Sequence, residues 1–295
     1  MALTPNERGF AIQTFTTSVR LLSQQIQSEL TPTVTIMPLI GRQAQVVRQI
    51  AQTEAQEVNG RLEEIIFQDT YNDARWVSPK DYDWATGIDR FELLRTNVMP
   101  QGEYTQAAVA AFNRGKDREI IKGIFGVNAT GERGLDTVTF DTNQVVGVNV
   151  GGSTSGMNVE KILTAKEMFM RNYAVQPGEM LTVVLTAAQI HNLMNDEQIV
   201  NGDYQNQKVL SDGRLTSVVG VNIAHSELLP VDDNGYRRNV MYAKSGVVLG
   251  VWMDTTVNIA QREDKRGLPW QIYAMGTFGA TRTEEKKLVE IKSAE

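Results

Sequence analysis

Any hydrolytic chemistry in this chain has to pass through one of two imidazoles, because His191 and His225 are its only histidines and it has no cysteine. A general base needs a nucleophile within hydrogen-bond reach, and a zinc site needs several ligands at fixed spacing. Neither histidine stands in such a spacing, and an isolated histidine is commonly an ordinary surface or core residue. The run Gly152-Ser153-Thr154-Ser155-Gly156 lies between a predicted strand and a predicted helix, where a nucleophile elbow would sit. Its central residue is threonine, however, and five small residues beside Gly151 describe a loose connection, not a strained turn. A cytosolic hydrolase using Thr154 with His191 or His225 is therefore the weaker alternative.

The remaining chemistry-bearing patterns also read as surface. Glu63-Glu64, Asp232-Asp233 and Glu284-Glu285 are adjacent pairs. On a strand such neighbours point to opposite faces and cannot share a proton or flank a glycosidic bond. No phosphate-cradling glycine loop with lysine and no dinucleotide fingerprint occurs, and Asn128-Ala129-Thr130 is a chance glycosylation triplet. Arg237-Arg238 and Lys286-Lys287 are too short to form a nucleic-acid track. The residues predict no catalytic centre, no cofactor and no metal.

Composition sets the frame for what remains. The 295 residues allow one large domain or two smaller ones, and 41% hydrophobic with 22% charged residues is ordinary for a globular chain. Absence of cysteine fits a reducing compartment. The start, Met1-Ala2-Leu3-Thr4-Pro5-Asn6-Glu7-Arg8, has no basic stretch leading into an apolar run, so no secretory signal is expected. No apolar stretch reaches bilayer length, so no membrane association is expected. A net charge of −6 argues against tight, counterion-releasing contact with DNA.

Hydrophobic spacing then orders the elements. Phe10, Ile12, Phe15, Val19, Leu22, Ile26 and Leu30 recur mostly at three or four residues, predicting one amphipathic helix that ends near Thr31-Pro32. Its apolar stripe is open to two partners, its own domain or a neighbouring subunit. Between residues 33 and 89 the pattern weakens to short β-like runs such as Thr33-Val34-Thr35-Ile36 and Leu62 to Phe67. Arg75, Trp76, Lys80, Tyr82 and Trp84 mix rings with charges there, a mixture enriched at interfaces, with core packing as the other reading for each ring.

After Gly102-Glu103-Tyr104, the spacing of Ala107, Ala108, Ala111, Phe112, Gly115, Glu119, Ile120, Ile121 and Phe125 predicts a long alanine-rich helix stopping near Gly123 to Gly126. Gly115 inside it predicts a bend or a closely packed neighbour. Gln144 to Val150 reads as a β-run. Asn158 caps a helix through Tyr173, closed by Pro177-Gly178. Leu181 to Leu185 is a buried strand, and Thr186-Ala187-Ala188-Gln189 is a capping box before a short helix. From Leu215 onward the pattern is mostly β: Ser217 to Ile223, Gly246 to Trp252, Thr256 to Gln261 and Trp270 to Thr281. The fold class is α+β with late antiparallel strands and no internal repeat.

This order resembles the Hong Kong 97-type capsid fold, the fold of major capsid proteins of tailed double-stranded-DNA bacteriophages. Ala111-Phe112-Asn113-Arg114-Gly115-Lys116-Asp117-Arg118-Glu119-Ile120-Ile121 resembles the long spine helix of a tailed-phage capsid family. Val159 to Leu163 and Val183 to Leu193 resemble its helix, strand and helix with a Gln-x-x-x-Leu element. Asn201-Gly202-Asp203-Tyr204, Leu210 and Val219 to Pro230 resemble its "Gly-hydrophobic-x-Ile, Ser, Leu-Pro" segment, and Tyr273 to Arg282 its closing strand.

The resemblance implies an N-arm over 1–35 and an extended β-hairpin loop over 36–86. A peripheral domain with the long spine helix would span 87–145, an axial domain 146–240, and returning peripheral-domain strands 241–270, with a C-terminal strand of the axial domain at 271–295. It implies a non-enzymatic shell subunit that self-assembles into hexamers and pentamers of an icosahedral head in the bacterial host cytoplasm. An acidic wall suits a container that must not grip its DNA, so contact with packaged double-stranded DNA would be weak and non-specific. Portal protein, a separate scaffolding protein and decoration protein are the other implied partners. Inter-subunit contact candidates are Phe10, Phe15, Val19, Leu22, Ile65, Phe67, Arg75, Trp76, Lys80, Tyr82 and Trp84. Lys80 is only a possible loop lysine for covalent cross-linking, and no bond is predicted. An encapsulin shell enclosing a cargo enzyme is the alternative within the fold.

Overall fold

The computed structural model describes residues 22–55, 57, 65, 67, 70, 72–88, 101–150, 154–196, 210–211 and 214–295. The chain order begins β1 (Thr35–Pro38), β2 (Ala44–Ile50), β3 (Asn72–Val77), β4 (Lys80–Ile88) and the long helix α1 (Gln101–Phe125). It continues β5 (Asn128–Thr130), β6 (Asp136–Val138), β7 (Val145–Val146), α2 (Val159–Arg171), β8 (Leu181–Leu185) and α3 (Ala187–Met194). Then come β9 (Leu210–Ser211), β10 (Arg214–Leu215), β11 (Ser217–Val218), β12 (Val221–His225), β13 (Arg237–Ala243), β14 (Val247–Gln261), β15 (Trp270–Arg282) and β16 (Leu288–Ser293).

Two main sheets share the work. The six-stranded sheet runs β11-β12-β8-β13-β16-β7, and all five residues of β8 are buried at its middle. Because side chains alternate across a strand, Val183 and Leu185 face α2 and α3, packing with Ile162, Phe169 and Leu193. Val184 faces the other way, into a core with Val240, Tyr242, Ile120, Ile124 and Phe112. The second sheet, β1-β14-β15-β4, lies against α1. A third, β2-β3-β5-β6, carries the hairpin.

Local chemistry starts the helices where the sequence predicts. The Asn158 side chain accepts from the Lys161 N–H at 2.9 Å and the Thr186 hydroxyl from the Gln189 N–H at 3.4 Å. Glycine allows α1 and β15 to touch. A Cβ on Gly123 would stand 2.8 Å from the Ala280 carbonyl carbon, and one on Gly115 would lie 3.4 Å from the Phe278 ring.

Several expectations change. Residues 22–30 carry no helix, since side chains of α1 take up their backbone groups. The rest of the predicted first helix, and nearly all of Leu62 to Phe67, lie outside the described residues. The hairpin is narrower than 36–86, because Thr35–Pro38 pairs with β14 and Lys80–Ile88 pairs with β15. Ser217 to Ile223 is not one strand. Val219 and Gly220, at φ 51° and 74°, form a two-residue turn between β11 and β12. Of the run Gln144 to Val150 only Val145 and Val146 pair. Residues 271–295 do not form one axial strand: β15 stays with β14 and β4 over α1, and only β16 enters the six-stranded sheet. The run of returning strands expected at 241–270 likewise opens late, since Met241 to Ala243 belong to that six-stranded sheet.

Candidate functional site

The hairpin of β2 and β3 is antiparallel and grows from a charged root. Arg282, fully buried at the end of β15, donates Nη1 to the carbonyls of Gly123 (3.4 Å), Ile124 (2.5 Å) and Gly126 (2.7 Å). The first two are carbonyls in the last turn of α1, which have no partners within the helix, and Gly126 follows directly after it. Nη2 donates to Val138 at 3.2 Å, and Nε to Glu285 Oε2 at 3.0 Å. Glu285 also lies 3.6 Å from Arg75 of β3, whose Nε donates to the Thr283 carbonyl at 3.1 Å. Burial pushes the Glu285 carboxyl above the usual range, with the two arginines opposing, and burial likewise lowers Arg282. The cluster fastens the hairpin to the helix end and to the turn linking the two main sheets.

A second carboxylate anchors the start of β4. Glu119 is buried on α1 and accepts from Lys80 at 2.6 Å and Lys122 at 2.9 Å. Burial alone would raise its pKa; the hydrogen bonds from Lys80, Tyr82 and Lys122 outweigh that and hold it below the usual carboxylate range. Tyr82 stacks on Phe278 with ring centroids 4.6 Å apart.

The eleven contact candidates divide accordingly. Phe10, Phe15 and Val19 lie outside the described residues. Arg75, only 6% exposed, is committed to its own chain. Trp76 donates Nε1 to the Gly131 carbonyl at 2.7 Å, while Tyr82 and Trp84 pack half-buried against the core below α1. The Lys80 side chain is about half exposed and is paired to Glu119. Leu22, Ile65 and Phe67 remain uncovered, at 87%, 83% and 91% exposure. Sequence pattern alone does not single out Arg282, Glu285 or Asp117, because burial of a charge depends on long-range packing. The i, i+1, i+4 spacing of Asn113, Arg114 and Asp117 on one helix face is the only signal that could have found the last of them.

The hydrolase constellation is not assembled. Thr154 Oγ1 donates to Asn149 Oδ1 at 3.1 Å, His191 lies 3.4 Å from Asn195, and His225 pairs with Glu227 at 2.9 Å. Among the described residues no group of three side chains could hold a metal ion, and no helix is long and apolar enough to cross a membrane. What the geometry offers instead is uncovered apolar side chains, at Leu22, Ile65 and Phe67 and also at Ile40, Leu135 and Tyr173.

No curated protein matches the sequence. Solved structures do match the fold. The capsid of cyanophage P-SCSP1u superposes with a TM-score of 0.75 at 12% identity, covering 99% of this chain and 97% of that one. The head of Helicobacter pylori bacteriophage KHP40 gives 0.74 at 13% identity, covering 98% and 96%. The capsid of an empty GTA particle gives 0.63 at 12% identity, covering 99% and 98%. The phage capsid protein family matches residues 7–295, nearly the whole sequence. A chain that matches this family almost end to end, and folds as phage head subunits fold, belongs to the phage capsid proteins, the structural subunits from which icosahedral heads are built.

Proposed function

We propose that this chain is the repeating wall subunit of a tailed-phage head, assembling in the host cytoplasm into hexamers and pentamers around double-stranded DNA. The exposure of large apolar side chains, Leu22, Ile65 and Phe67 together with Ile40, Leu135 and Tyr173, carries this reading. Large apolar side chains left in water mark surfaces that another chain covers, and in a shell of identical copies that chain is a neighbour. The arm and the hairpin would each lie over an adjacent subunit. A specific contact buries about 1,600 Å² in total. Closed rings repeat each contact, so modest contacts suffice. A net charge of −6 suits a wall that touches its genome weakly. Portal, scaffolding and decoration proteins would act on the assembled wall.

Electron microscopy of the expressed chain, alone and with a scaffolding protein, tests the proposal. Closed shells or capsomer rings are the expected outcome. A solitary monomer under both conditions, with residues 51–71 protected by its own body in hydrogen exchange, would overturn it.

A further inference from the structure

A carboxylate removed from water has to be paired or hydrogen-bonded. Asp117, midway along α1, is fully buried, and its hydrogen bonds among the described residues all come from one N-terminal stretch. Gln25 Nε2 donates to it at 2.5 Å, the Ser28 hydroxyl donates to its other oxygen, and the backbone N–H groups of Glu29 and Leu30 donate at 3.2 and 3.3 Å. One turn earlier on the same helix face, Asn113 Nδ2 donates to the Ile26 carbonyl at 2.9 Å. Arg114 Nη1 donates to Gln24 Oε1 and to the Gln25 carbonyl, both at 2.9 Å. Beyond this grip the chain turns inward. Leu30 and Val34 enter the core with Phe112 and Tyr242, and the Thr33 hydroxyl is 2.7 Å from the Tyr242 hydroxyl.

Most of these bonds end on main-chain atoms, so they fix the path of the segment and not merely its adhesion. Hydrogen bonds to N–H groups at one end and to carbonyls at the other also set its direction along the helix. The Ile26 side chain is exposed within the grip, and the more exposed Leu22 lies just beyond its end at Gln24.

We propose that Asn113, Arg114 and Asp117 clamp this stretch so that the arm reaching a neighbouring copy departs at Gln24, with Asp117 as its positioning residue. The inference rests on the reading that the arm lies across a neighbour. It shortens that arm from the 35 residues expected on sequence grounds to those before Gln24, and assigns residues 24–34 to the body. Fixing the point of departure removes freedom that assembly would otherwise have to freeze out. Loss of the clamp then weakens every arm contact in the shell at once.

Three variants of the full chain test it: Asp117→Ala; the pair Gln25→Ala with Ser28→Ala, which leaves α1 untouched; and deletion of residues 1–22. Shell yield by microscopy, thermal unfolding of unassembled protein and proteinase K cleavage within residues 24–34 are read together. For the Gln25/Ser28 pair we expect body unfolding nearly unchanged, cleavage within 24–34 faster by about tenfold, and shell yield lower by about tenfold. Should Asp117→Ala fail to fold, the pair decides. Unchanged cleavage and unchanged yield in the pair would overturn the clamp. Normal shells from the deletion would instead overturn the arm reading itself, leaving the clamp to be judged by cleavage alone.

Discussion

The six-stranded sheet and the β2–β3 hairpin are built from similar strand-forming residues, yet only the first covers itself. In the sheet, β8 is buried along its whole length, with helices on one face and the α1 core on the other. In the hairpin, Ile50, Ile65 and Phe67 are exposed, as are Ile36 and Ile40 just before it. Burial of apolar area contributes about 25 cal/mol per Å², so the sheet holds its stabilisation within one chain. Ala74 and Val77 of β3 are buried within the chain, whereas Ile50, Ile65 and Phe67 can realise their share only against another surface. Stability and assembly are thereby assigned to different parts of one polypeptide, and substitutions should separate them.

The largest effect is expected where the two regions join. Arg282→Ala would strand the carbonyls at the end of α1 and leave Glu285 with Arg75 as its remaining cationic neighbour. Removing one partner of a buried charged cluster costs about 3–5 kcal/mol. Urea unfolding should show that loss, and shells should vanish with it. A loss below about 1 kcal/mol would mean the root is a peripheral ornament and the regions are not coupled.

A smaller effect belongs to the body alone. Lys161 Nζ is buried and donates to the carbonyls of Ser155 (2.7 Å), Gly156 (3.0 Å) and Lys292 (3.0 Å). Burial pulls its pKa down to about 8. Between that value and the ordinary lysine range the folded chain has released the proton while the unfolded chain still holds it. The unfolded state then binds more protons, and stability rises with pH. Relative to Lys161→Met, the parent should gain stability from about pH 8 upward, with a slope approaching about 1.4 kcal/mol per pH unit. Parallel pH profiles for the two proteins would remove the buried ammonium from the account.

The contrast also explains what the sequence made legible. The order of elements was readable because α1, α2, β8 and α3 carry local signals: alanine content, the Asn158 cap, an apolar run and the Thr186 capping box. The division of the late strands was not. Trp270 to Arg282 and Leu288 to Ser293 are both β-rich, and only the 284–287 turn, with Arg282 locked beneath it, sends them into different sheets. Ile65 and Phe67 are legible from sequence as contact candidates because they are apolar side chains in a stretch with little core. Arg75 misled because a charge among tryptophans reads as an interface, whereas long-range packing buries it. Asp117 was hidden for the same reason: its partners lie about ninety residues away in sequence.

The smallest effect on stability should accompany the largest effect on assembly. Ile65 and Phe67, two residues apart, would share one face of an extended segment, and both are exposed. Replacing both with serine removes no covered area from the unassembled chain, so its unfolding free energy should stay within about 0.5 kcal/mol of the parent. On a neighbour, the same two side chains would each be worth about 1.5–3 kcal/mol of burial, repeated at every hairpin in the shell. Microscopy should therefore show few or no closed particles from a protein whose urea midpoint is unchanged. Normal shells would place the uncovered hairpin outside the assembly contacts. A large loss of monomer stability would show that the hairpin is covered by its own body, and the distinction between the two regions would fail.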